Sequence, residues 1–289
     1  MFHSPIRFSQ ICMKPICMKL ALCIPLVFAL SLHSQQPDPT PKDSPEVAAA
    51  ISAGAQAFRA GRYADAATSF RKAIELDPNN QRAHLDLGTA YAAQVVPGID
   101  TPANVSAATL AVAEFDLVLK ANPQNLIALS QEATVYRNIK QLDNAKILEK
   151  RLIAIDPADY EAIYTIGVID WMQAHANAVK ILAAENLTDD GKGNAKLSPT
   201  ACEALRTANT DLVEDALSNL TRAVDLKPDY ADAMICLNLI LIRRADLHCG
   251  EDPAFVSNDL RLAAEWSKKA NETRQQSKPP APQNAGESK

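Results

Sequence analysis

Four prolines end the same kind of phrase in this chain: Leu76-Asp77-Pro78, Ala121-Asn122-Pro123, Ile155-Asp156-Pro157 and Leu226-Lys227-Pro228. They stand 45, 34 and 71 residues apart, and each follows an Ala- and Leu-rich helical run. A residue before Pro is pushed out of helical geometry and the ring cannot continue a helix, so each phrase closes an element. Taking 34 as the period, the outer spacings exceed it by 11 and 37, which reads as a repeat with insertions. Short helical pairs repeated in tandem make a binding surface and seldom a reaction centre.

Composition agrees. The 289 residues are 47% hydrophobic with only 9 Gly and 5% aromatic residues, which suits closely packed Ala-rich helices and argues against a β-sandwich or a doubly wound sheet. The formal charge is −5, and the first 34 residues contribute Arg7, Lys14 and Lys19 without an acid, so the chain from Gln35 onward carries −8. Such an acid excess disfavours nucleic acid and anionic lipid as main partners.

The N-terminus reads as an address. Lys14 and Lys19 precede the apolar run Leu20 to Leu32, 13 residues long, then His33-Ser34-Gln35-Gln36. That length matches a secretory h-region and is short of the roughly 20 residues of a membrane span. Residues 1–34 are therefore expected to be a signal peptide cleaved near Ser31 to Gln35, with Met1, Met13 or Met18 as the start, and the mature chain to be periplasmic or extracellular. An uncleaved anchor is the alternative, and it would be the only membrane contact. Cys23 lies inside the apolar run, unlike a lipid-attached Cys.

Residues 35–46 (QQPDPTPKDSPE) contain four prolines and bury little, so a disordered linker is expected there; the tail 275–289 has the same character. The fold is expected within 47–274.

There the residues resemble the tetratricopeptide repeat family, whose 34-residue unit sets small and large apolar residues at fixed positions of two antiparallel helices. The unit from Val47 carries Gly54, Ala66, Phe70, Ala73 and Pro78 in the family's register. The unit from Gln81 carries Gly88, Tyr91, Ala111, Phe115 and Pro123, and the unit from Leu126 carries Ala133, Ala145 and Pro157, with Glu149 where a large apolar residue is usual. The unit from Tyr160 carries Gly167, Ala216, Leu220, Ala223 and Pro228. The last, from Ala231, has Asn238 where Gly is usual and Ser267 at the large position, beside Trp266. The resemblance implies an all-α, right-handed superhelical solenoid of about five units: 47–80, 81–125, 126–159, 160–230 and 231–274.

The insertions fall at turns inside units, at Gln94 to Asn104, Ala176 to Asn209 and Leu247 to Pro253, and should form one elaborated rim. Within the largest, Ala178 to Leu187 reads as a helical extension and Asp189-Asp190-Gly191-Lys192-Gly193-Asn194 as a solvated loop. That loop lacks the alternating acids and terminal Glu of a calcium loop. Beyond the signal segment with Cys12, Cys17 and Cys23, the chain keeps Cys202, Cys236 and Cys249. In an exported protein a pair is expected, and the two rim cysteines, Cys202 and Cys249, are the pair, with Cys236 buried on a helix. Linkage through Cys236 and three reduced thiols are the alternatives.

Catalysis has no visible seat. His84, His175 and His248 lie in different units and outside any HExxH, GxSxG or CxxCH setting, and no glycine run cradles phosphate. No cofactor, metal or catalytic residue is expected. Family members that grip a C-terminal carboxylate place Lys, Asn and Arg on the inner face, where this chain has Ile51, Ala55, Asp86, Ile127 and Gln131, so that clamp is missing. Tyr164, Val168, Trp171, Ile235, Leu239 and Ile242 fall on the predicted inner side of the last two units. Exposed, they would form an apolar groove for a peptide or partner helix; covered, they are ordinary core. The reading is a non-catalytic interaction scaffold of the cell envelope with a protein or peptide partner. The alternative is an enzyme, or enzyme subunit, acting on peptides or glycans from the rim insertions.

Overall fold

A computed structural model describes residues 43–194 and 196–277. The expected signal segment, most of the expected linker and most of the tail lie outside the described residues. Among the described residues there are ten helices and no strand. The chain divides into two compact units at Gln131/Glu132, inside helix α5 (Leu126–Asn138).

The first unit holds α1 (Pro45–Arg59), α2 (Tyr63–Leu76), α3 (Gln81–Ala92) and α4 (Pro102–Ala121). α1 packs on α2, α2 on α3 and α3 on α4. The core of α1 to α3 gathers Ile51, Ala66, Phe70, Ala73, Leu87 and Ala90. α4 adds Ala111, Phe115 and Val118, all buried. By length and composition α4 could cross a membrane, yet that buried face belongs to the repeat packing.

The second unit holds α6 (Leu142–Ile155), α7 (Tyr160–Ala184), α8 (Pro199–Leu226), α9 (Ala231–Leu247) and α10 (Pro253–Gln276). α7 packs on α8 and α9 on α10, with α6 against α7 and α8 against α9. Gly167 meets Leu220 so closely that a Cβ would lie 2.6 Å from the leucine Cγ. Four helix pairs, α1–α2, α3–α4, α7–α8 and α9–α10, thus follow one another along the chain, an all-helical repeat architecture.

The four prolines do what their chemistry dictates. Asp77, Asn122, Asp156 and Lys227, each the residue before Pro, cap α2, α4, α6 and α8 at φ between −124° and −142° with ψ near 90°, well outside the helical basin. In three linkers the side chain also accepts a bond from the backbone two residues on: Asn79 N–H to Asp77, Gln124 N–H to Asn122 and Ala158 N–H to Asp156. The next helix is then capped by Asn80, Asn125 or Asp159, which takes the N–H of Ala83, Ala128 or Ala162. Lys227 cannot make such a turn, and its ammonium sits over the rings of Tyr160 and Tyr230 instead.

Several expected boundaries move. α1 begins at Pro45 because Ser44 caps it and Pro suits the first turn, so two residues of the expected linker are helical. α10 runs to Gln276. The insertion expected over Ala176 to Asn209 is mostly helix: α7 continues unbroken to Ala184 and α8 starts at Pro199. Only Glu185 to Ser198 is a connection. The expected loop Gln94 to Asn104 ends earlier, since Pro102 to Asn104 form the first turn of α4. Buried Asn104 clips that loop, accepting from Val96 N–H and donating to the carbonyls of Val96 and Ile99.

Candidate functional site

The six residues expected on the inner side of α7 and α9 are for the most part interior. Tyr164, Val168, Trp171 and Leu239 are buried, whereas Ile235 and Ile242 are half-buried. α7 explains this: every residue from Ala162 to Trp171 is buried, so that stretch has no solvent face. The Tyr164 ring lies 4.9 Å from that of Tyr230, and the Cys236 thiol donates to its hydroxyl at 3.8 Å. Trp171 stacks on His175 with centroids 5.4 Å apart. These contacts are those of packing, and α9 alone offers accessible apolar surface along the stripe.

The rim of the second unit is held covalently. Cys202, in the first turn of α8, is bonded to Cys249, just beyond α9, with Cα atoms 5.9 Å apart. Cys236 keeps its thiol and is buried. Arg206 of α8 reinforces the joint: it donates to the carbonyls of Leu247 and Cys249 at 2.7 and 2.8 Å and reaches Glu251 at 2.9 Å. Those carbonyls are at the end of α9, where the helix supplies no donor of its own.

The segment Asp189 to Asn194 was expected to be solvated, but Gly193 and Asn194 are buried. A Cβ at Gly193 would stand 2.7 Å from Val256 of α10. Asn194 donates at 2.9 Å to Asp246, itself 1% exposed. The guanidinium of Arg243 lies 2.8 Å from Asp189 and 3.0 Å from Asp246. Composition did not reveal this, because the partners that draw the loop inward come from helices elsewhere in the unit.

His248 is partly buried, bonded to Glu251 at 2.8 Å and near Asp259 at 3.3 Å. His84, in the first unit, lies 2.6 Å from Glu114 and 3.0 Å from the Pro78 carbonyl. On α6, Glu149 is 5% exposed, and burial pushes its carboxyl up to about 8 against the attraction of Arg137. Asp170 on α7, fully buried, is raised by burial although Lys146 stands 2.6 Å away. Among the described residues no three His, Cys, Asp or Glu side chains are grouped to hold a metal ion. A hollow of about 470 Å³ lies over α8, α9 and α10, between Leu217, Thr221, Leu241, Leu262 and Trp266.

Comparison with known proteins agrees with this geometry. Residues 54–95 match the TPR repeat family model. MamA 41-end from Desulfovibrio magneticus RS-1 superimposes with a TM-score of 0.55 at 18% identity, over 81% of this chain and 98% of that one. The family match rests on residues 54–95, a TPR repeat, and the structural likeness shows the fold of the chain. A MamA RS-1 double mutant gives 0.54 at 18% identity, over 81% of this chain and 97% of that one. Another MamA structure gives 0.52 at 14% identity, with coverage of 80% and 93%. No curated protein matches the sequence. At these identities the likeness establishes the fold of the chain, and its function has to be argued from its own surfaces.

Proposed function

We propose that this chain is a tetratricopeptide-repeat protein acting as an exported, non-catalytic scaffold of the cell envelope, which binds a peptide or partner helix on the face formed by α7 and α9, the first helices of its last two repeats. The observation that carries the reading is the succession of helix pairs in repeat register within each unit, an architecture that makes binding surface more often than a reaction centre. Lys14 and Lys19 ahead of Leu20 to Leu32 support export, and the Cys202–Cys249 bridge suits an oxidising compartment. On α9, Ile235 and Ile242 flank Leu239 at helical spacing and keep part of their surface accessible, the kind of stripe that meets an apolar peptide.

The test places a photocrosslinking residue at 235 or 242 of the full chain in envelope fractions. A single protein partner captured at those positions, and lost in Ile242→Glu with helicity unchanged, is the expected result. Capture unaffected by Ile242→Glu would remove the face, and turnover of peptides or glycans by purified protein would remove the non-catalytic reading. N-terminal sequencing of the exported chain should find its start near Ser31 to Gln35.

A further inference from the structure

We propose that the strap Glu185 to Asn194 is a pH-responsive latch: Asp189 of the strap and Asp246 of α9 share the single buried guanidinium of Arg243, so the strap is held while one carboxyl carries a proton and loosens when both are ionised.

The geometry sets the charge imbalance. Arg243 is 3% exposed, and its two terminal nitrogens are divided between the two carboxylates. Asn194 ties the strap to both, donating to Asp246 and, at 3.3 Å, to Asp189, while its own N–H donates to Asp190. Asn194 takes a left-handed conformation (φ 47°) to do so, and Gly193 beside it (φ 90°) is pressed on Val256. One cation therefore faces Asp189, Asp190 and Asp246. Among the described residues no second Lys or Arg lies within 4 Å of these three carboxylates. On α7, His175 is 3.8 Å from Asp189, and burial together with Arg243 lowers its proton affinity. On α8, Arg206 is engaged with the carbonyls of Leu247 and Cys249. On α10, Asp259 is engaged with Arg244 of α9 and with His248, the cap at its C-terminal end. Lys192 is at the exposed tip of the strap.

Burial pushes Asp246 up to about 7, against the pull of Arg243 and with the nearby Asp189 adding to the rise. Burial raises Asp189 too, but Arg243 and the donors Gly191 N–H and Asn194 outweigh it and hold Asp189 below the usual carboxylate value. Opening the strap takes Asp189 away and admits water to Asp246, which brings its carboxyl back toward the ordinary value of 3.8. The closed form thus keeps a proton that the open form has lost, and closure is fully favoured only below that ordinary value. As pH rises from there to about 7 the opening constant grows by roughly tenfold per unit, then levels. His175 acts in the opposite sense as pH falls through its ordinary value, and the larger shift at Asp246 sets the outcome.

Amide hydrogen exchange of 186–194 in the full chain, corrected for intrinsic exchange chemistry, tests the latch. Between pH 5 and pH 7 opening should rise at least about tenfold and then flatten. Asp246→Asn, an isosteric copy of the protonated acid, should stay protected at every pH, and His175→Gln should keep the slope. Equal protection at both pH values in the natural chain, or an undiminished slope in Asp246→Asn, overturns the proposal. A carbon NMR titration of the Asp246 carboxyl needs no variant: an inflection near 7 supports the latch and one below 5 overturns it.

Discussion

At the scale of single residues, a glycine on the first helix and a large apolar residue on the second face one another and divide one volume in three of the units. Gly54 lies under Phe70, Gly88 under Phe115 and Gly167 under Leu220, and an added Cβ would fall 2.5, 2.7 and 2.6 Å from the larger side chain. In the other two units the register puts Ala133 with Glu149 and Asn238 with Ser267, and the Asn238 amide donates to the Ala263 carbonyl at 2.8 Å. Gly88→Ala should therefore destabilise the chain. Overpacking costs about 1–3 kcal/mol, the helical preference of Ala returns ~0.5–1, and a net loss of ~1–2 kcal/mol is expected by urea unfolding. Adding Phe115→Leu should recover most of it, and a neutral Gly88→Ala would show that the ring moves aside freely. This complementarity was legible because it is local to the repeat. The burial of Asn194 and Asp246 was not, since the bond that joins them spans 52 positions.

At the scale of elements, proline works at both ends of helices. It closes α2, α4, α6 and α8 one residue beyond the cap, and it opens α1, α4, α8 and α10 in the pairs Ser44-Pro45, Thr101-Pro102, Ser198-Pro199 and Asp252-Pro253. The closing set was enough to find the period. The opening set is equally plain in the sequence and would have placed the start of α8, which an insertion expected to run to Asn209 concealed. Likewise Gly167 to Ala184 contains neither Gly nor Pro beyond its first residue, so nothing breaks α7 there. The bridge between Cys202 and Cys249 was legible once both cysteines were placed at turns of neighbouring units. It closes a segment 47 residues long and should contribute roughly 3–4 kcal/mol in the chain-entropy model. A non-reducing peptide map should join these two cysteines, with Cys236 alkylated only after unfolding. A loss well under 1 kcal/mol in the Cys202→Ala, Cys249→Ala double variant would assign the joint to Arg206 instead.

At the scale of the whole molecule, the buried carboxyls make stability depend on pH in an unusual direction. Burial raises Glu149 to about 8, Asp246 to about 7, and Asp86 and Asp170 above their ordinary values. A carboxyl raised on folding contributes stability that is complete below its unfolded value and is lost as pH climbs through its folded one. For Glu149 that window runs from 4.5 to about 8, and for Asp246 from 3.8 to about 7. Asp189, held low mainly by Arg243 against the effect of burial, has the opposite sign, and its contribution fades only as pH falls below its unfolded value of 3.8. Between pH 5 and 8 the raised groups dominate, so thermal stability should fall across that interval, by several degrees at about 2–4 °C per kcal/mol. Glu149→Gln, which keeps the shape and removes the charge, should flatten the profile and be the more stable protein at pH 8 by on the order of a few kcal/mol. Melting curves that rise or stay level from pH 5 to 8 would mean that these carboxyls are ionised and compensated in the folded chain, with water or movement of the helices supplying what the packed interior withholds.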